Sequence, residues 1–178
     1  MKLYSLFIAM LLPIQVFSQS VSLQITKMPL PMKTRQIRDS MRNYIVIHND
    51  GANLNSKVTH SVLRRRRLQY HYFIGRSGRI YEYVNPMFKA SHAGNSNYLG
   101  MMRWNDFSIG ICLQGTNNKH YSDMQYESLK DLLLYLYQRY PDARRHPILQ
   151  HSQIAYPTGR KHDPGQYFDI SKIQIDSL

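Results

Sequence analysis

Between residues 122 and 140, Tyr126, Leu129, Leu132, Leu133, Leu136 and Tyr140 recur at helical spacing. An apolar stripe of that period is one face of a helix, and it has to be buried against another layer. Its ends are also marked. Ser122 with Gln125 fits a capping box, and Pro141 stops the run. The remaining chain is cut into short strand-type runs. Residues 43–48 are uninterrupted and β-branched, as in a buried strand. Residues 70–74 and 79–84 flank Gly75-Arg76-Ser77-Gly78, which reads as a hairpin turn. Residues 107–114 form another strand and residues 147–150 a short one. Residues 56–68 read as a second helix that starts at an N-cap-type serine, Ser56. The order strand, helix, hairpin, strand, helix, strand predicts a single α/β or α+β domain with a mixed central β-sheet flanked by helices.

The sequence start has a different character. Lys2 is followed by an almost wholly apolar run over residues 3–16, and Phe17-Ser18-Gln19-Ser20 turns small and polar. That is the pattern of a secretory signal peptide over residues 1–18, and it predicts a secreted or periplasmic protein. The run is shorter than the roughly 20 apolar residues that a spanning helix needs, and Pro13 interrupts it. No stable membrane insertion is expected after cleavage. Residues 19–42 form a polar, Pro-containing lead, and its residues leave open whether it packs on the domain. Residues 43–178 are the expected domain, taken as a monomer. A net charge of +12 on 178 residues draws a protein to polyanions such as anionic lipid or cell-wall polymers. Export makes nucleic acid an unsuitable partner. The basic run Arg64-Arg65-Arg66-Arg67 reads as a solvated helix face or as an anion contact. Cys112 stands alone, which excludes an internal disulfide.

Residues 85–104 form a long loop rich in Gly, Asn and Met, the kind of segment that often carries function. His48 ends a buried strand and His151 follows a short one; strand ends are where α/β folds place sites. The segment after His151 contains Lys161-His162-Asp163-Pro164-Gly165. Two histidines and a carboxylate are a sufficient set for a zinc with one open position. His60, His120 and His146 stand in polar contexts and carry no expected role.

Five segments, in order, resemble the zinc-dependent N-acetylmuramoyl-L-alanine amidases of the amidase-2 group, which includes AmpD-type enzymes, phage-T7-lysozyme-type amidases and peptidoglycan recognition proteins. They are Tyr44-Ile45-Val46-Ile47-His48, the hairpin from Tyr70 to Glu82, Ser91-His92-Ala93-Gly94, Asn105-Asp106-Phe107-Ser108-Ile109-Gly110-Ile111, and the closing stretch from His151 to Asp169. The resemblance implies an enzyme that cuts the bond between N-acetylmuramic acid and L-alanine in peptidoglycan or a muropeptide. It implies Zn2+ held by His48, His151 and Asp163, with His162 at the variable position between Lys161 and Asp163. Lys161 matches the lysine expected to stabilise the oxyanion. AmpD-type members carry a glutamate on the strand where this chain has Cys112; Tyr70 matches the tyrosine that other members use instead. Asn49 and His92 match groove-lining positions, and Arg103 would suit a stem-peptide carboxylate. Cys112 itself reads as a small apolar strand residue. The same pattern is compatible with a non-catalytic module that binds peptidoglycan fragments. A basic polyanion binder with a structural metal is a third reading.

Overall fold

The computed structural model describes residues 23–31 and 42–175. In chain order these contain β1 (Ile25–Lys27), β2 (Tyr44–Asn49), α1 (Ser56–Arg66), β3 (Tyr72–Ile74), β4 (Ile80–Glu82), β5 (Asn97–Tyr98), β6 (Met101–Met102), β7 (Ser108–Leu113), α2 (Asp123–Arg139), β8 (Leu149–Gln150) and α3 (His151–Ile154). Six strands make one mixed sheet in the order β1-β4-β3-β7-β2-β8. β2 lies parallel to β7 through six paired positions, from Tyr44 opposite Ser108 to Asn49 opposite Leu113. β3 and β4 are the expected antiparallel hairpin.

Strand alternation sorts the two faces. Successive side chains on a strand point to opposite sides. Ile45 and Ile47 of β2, with Ile109, Ile111 and Leu113 of β7, join Leu129, Leu132, Leu133 and Leu136 of α2 in one buried cluster. The intervening residues face the other way. Val46 packs with Trp104, Ala93 and Ile154, and Cys112 packs with Phe73 and Leu63 of α1. Each central strand is buried on both faces, so hydropathy alone could not show which residues share a side.

Local signals explain the boundaries. α2 starts with the capping box read from Ser122 and Gln125, and Pro141 opens the 3-10 turn that follows Tyr140. α1 is capped one residue earlier than the expected serine: Asn55 Oδ1 accepts the Val58 N–H. An Asn side chain satisfies a free first-turn donor as well as serine does. Arg67 then takes a left-handed conformation and ends the helix, with Arg64 to Arg67 all exposed. Two elements were not expected. Part of the lead segment adds β1 in parallel to β4, and Leu30 beyond it is buried. Inside the long loop, β5 and β6 form a small hairpin. The expected signal segment, residues 1–18, lies outside the described residues.

The α2 stripe is the main inter-layer contact. Leu132→Ala, at a fully buried position, is expected to lower unfolding free energy by about 2–5 kcal/mol. Urea denaturation followed by far-ultraviolet circular dichroism measures it.

Candidate active site

His48 is the fifth residue of β2, so alternation turns it to the face opposite α2, on the same side as Val46. β8 lies beside β2 and delivers His151 to the same end of the sheet, as the first residue of α3. The chain then loops back, and the Asp163 carbonyl accepts the Ser152 N–H at 3.0 Å. That bond returns Asp163 to the histidines. Its Oδ2 lies 3.2 Å from His48 Nδ1 and 3.0 Å from His151 Nδ1. One donor atom from each of the three residues falls within a 4.8 Å span. His162, by contrast, is exposed and does not join this cluster.

Two imidazole nitrogens and one carboxylate oxygen converging this closely fit a three-ligand zinc site. The far sides of the rings fit it too. His151 Nε2 lies 3.0 Å from the Ala93 carbonyl, which can only accept, so the proton is on Nε2 and the Nδ1 lone pair faces Asp163. Burial, then the neighbouring His151, lowers the His48 pKa to about 4, which keeps the ring neutral and able to ligate. Burial pushes the Asp163 carboxyl up, but its contacts with His151 and then His48 outweigh that and hold the group well below the usual carboxylate range.

His151 and Asp163 open onto a groove of about 410 Å³, which Tyr70, Lys161, Arg66 and Arg160 also line, with His48 buried behind them. Tyr70 is half-buried, its ring 5.0 Å from that of His48. Burial, then its neighbour Cys112, raises its pKa well above 10.0. At neutral pH the phenol therefore keeps its proton and acts as a donor. Cys112 is fully buried and its thiol is likewise pushed up by burial, which suits a packing residue and not a nucleophile. Lys161 is exposed on the groove wall.

Of the three expected substrate residues, Asn49 and His92 line the groove and Arg103 does not. Asn49 lines the groove, but its buried amide reaches Asn117 Oδ1 at 2.8 Å and the Pro164 carbonyl at 3.0 Å, bracing the loop that carries Asp163. His92 is only 6% exposed and lies against His48, with Nδ1 3.0 Å from His48 Nε2. Arg103 is outside the groove lining, and its guanidinium pairs with Asp106 at 2.5 Å. Sequence reasoning missed the Ala93 carbonyl, His71 and Ser108. The first is a backbone atom with no residue signature. The other two sat inside segments noted only as family blocks.

The model of the N-acetylmuramoyl-L-alanine amidase family Amidase_2 matches residues 38–166. The chain belongs to the amidase-2 family. The protein 1,6-anhydro-N-acetylmuramyl-L-alanine amidase AmpD of Haemophilus influenzae is 45% identical over 103 residues, which cover 58% of this chain and 55% of that one. The chain thus spans about half the length of this curated relative. A crystal structure of an AmpD derivative aligns with TM-score 0.69 at 31% identity, over 84% of this chain and 92% of the other. That of AmpDh3 from Pseudomonas aeruginosa in complex with anhydromuramic pentapeptide aligns with TM-score 0.66 at 26% identity, over 80% and 62%. The mixed sheet with flanking helices is therefore this amidase fold.

The relatives correct one expectation. The curated relatives that the chain matches are AmpD-type 1,6-anhydro-N-acetylmuramyl-L-alanine amidases, which lend a secreted or periplasmic location no support. That expectation rested on the pattern of residues 1–20, which lie outside the described residues. Among the described residues, no helix is long and apolar enough to cross a membrane.

The buried histidines make the fold acid-sensitive. Burial lowers the pKa of His48, His71 and His92 below the ordinary value of 6.5. Below 6.5 the unfolded chain takes up protons that the native state refuses, so stability falls as pH drops, for His48 down to about 4. His48 alone accounts for roughly 3 kcal/mol. Urea midpoints are expected to fall progressively as pH drops from 6.5 to about 4 in metal-free protein; a flat profile would contradict this.

Proposed function

We propose that this chain hydrolyses the amide bond between N-acetylmuramic acid and L-alanine in peptidoglycan fragments, with Zn2+ held by His48, His151 and Asp163. The observation that carries the reading is the convergence of those three ligand atoms beside a groove that His151, Asp163, Lys161 and Tyr70 line. When bound, zinc supplies a water of lowered pKa and polarises the scissile carbonyl. The chain's own residues do the rest. Lys161 sets a cation beside the carbonyl oxygen and stabilises the negative charge that develops there. Tyr70, held protonated by burial, donates a hydrogen bond to the reacting carbonyl or the attacking water. With Cys112 on the neighbouring strand, no carboxylate stands at that position, and the phenol of Tyr70 occupies the space beside it.

The substrate class follows from charge and from the relatives. Arg66, Arg160 and Lys161 give the groove wall a cationic lining suited to stem-peptide carboxylates. The relatives named above are an anhydromuramyl amidase and a structure holding an anhydromuramic pentapeptide, which supports soluble anhydro-muropeptides as the substrate.

The test is chromatographic release of free stem peptide from anhydro-muramyl peptide by zinc-loaded protein. Wild type is expected to release peptide and lose activity to a chelator. Tyr70→Phe and Lys161→Ala should each lower kcat by about 10²-fold with zinc content unchanged. Asp163→Ala should lose the zinc. Binding of the fragment without turnover by zinc-loaded wild type would replace this reading with that of a binding module.

A further inference from the structure

We infer that His92 is a positioning residue that dictates which nitrogen of His48 faces the metal site. The inference rests on the zinc reading above and concerns the buried side of the ligand, away from the groove.

The deduction starts at a backbone carbonyl. Ser108 Oγ lies against the Trp104 carbonyl oxygen. A carbonyl cannot donate, so the single hydroxyl proton of Ser108 goes to Trp104. Ser108 Oγ is then left to accept from its other neighbour, His92 Nε2, at 3.4 Å. A neutral imidazole carries one N–H. With that proton on Nε2, His92 Nδ1 is an acceptor, and the atom it faces is His48 Nε2 at 3.0 Å. His48 therefore carries its proton on Nε2 and turns the Nδ1 lone pair toward Asp163 and the cluster. Three hydrogen bonds carry the orientation from Trp104 to the ligand atom.

His71 does not compete for either ring nitrogen of His92. His71, whose ring is 5.6 Å from that of His92, has both nitrogens committed: Nδ1 accepts the Gly110 N–H at 2.9 Å, and Nε2 donates to the Phe88 carbonyl at 3.0 Å. The His92 ring lies directly on Gly110, where an added Cβ would stand 2.5 Å from His92 Cγ. Only a residue without a side chain lets the ring reach His48. Asn105 Oδ1 accepts the N–H groups of His92 and Ala93 at 3.0 and 2.7 Å, which clasps the short segment that holds both ring partners. His48 leans on His92 and His151 leans on the Ala93 carbonyl, so adjacent residues of one loop orient both histidine ligands. Partners of this kind are worth about 10–100-fold in metal affinity.

Two measurements test it. The first is histidine 15N–1H NMR on the metal-free and zinc-loaded wild-type protein, which reads the tautomer directly. His48 is expected to be protonated on Nε2 in both, and an Nδ1-protonated His48 overturns the inference. The second is zinc affinity by chelator competition for His92→Leu and His92→Asn. Leucine removes the acceptor, and zinc affinity should fall about 10–100-fold. Asparagine returns an oxygen close to the position of Nδ1, and its affinity should stay within about threefold of wild type. Wild-type affinity in the leucine variant, or equal loss in both variants, overturns the inference while leaving the amidase reading intact. Wild-type protein that takes up no zinc overturns both. Should the leucine variant not fold, the tautomer measurement and the asparagine variant decide.

Discussion

The parallel pairing of β2 on β7 is the contact on which the rest of this molecule depends. Its register sets Ser108, Gly110 and Cys112 on one side of the sheet together with Val46 and His48. The residues between them close the core against α2. One backbone ladder therefore builds the hydrophobic core on one face and the floor of the site on the other. A one-residue slip would exchange the two faces, burying His48 among leucines and turning isoleucines to the groove. The leucine stripe of α2 thus protects the chemistry as well as the core, because it fixes the register from behind.

The site combines this rigid floor with loops that are tied down individually. The Asp163 loop is held by the Ser152 N–H, by Asn49 and by the Tyr121 hydroxyl, which donates to the Pro164 carbonyl at 2.7 Å. Gly165 completes the clasp: at φ +91° it has no side chain, and an added Cβ would stand 2.5 Å from the Asn117 backbone. Ligands that must keep their geometry need such support on the side away from the metal. The arrangement also explains why residues expected to touch substrate turn up as braces. Asn49 and His92 line the groove, yet each also spends polar atoms on the protein.

The family pattern was legible in the chain because its chemistry is written in side chains at strand and helix ends. The buried run before His48, the hairpin after Tyr70, the capping box at Ser122 and the closing stretch to Asp169 are local, and local signals follow from sterics and hydrogen bonding between near neighbours. Other elements left no such trace. β1 is three residues long and gains its place only by pairing with β4, and the β5–β6 hairpin has two residues per strand. Helix α1 is capped by Asn55 instead of Ser56 because two adjacent residues could each cap it, and the backbone conformation chose between them.

The sequence by itself determined the α/β class, the amphipathic helix that covers the sheet, and the identity of His48, His151, Lys161 and Asp163 as residues worth watching. Each depends on residue type and spacing along the chain. Tertiary structure decided which of them meet. Asp163, and not the adjacent His162, reaches both histidines because the loop returns to Ser152 with a fixed orientation. It also decided protonation. The Ala93 carbonyl and the Trp104–Ser108–His92 chain set the tautomers of His151 and His48, and burial holds Tyr70 as a phenol. Those properties come from atoms that are distant along the chain or belong to the backbone, so no reading of residue order could supply them.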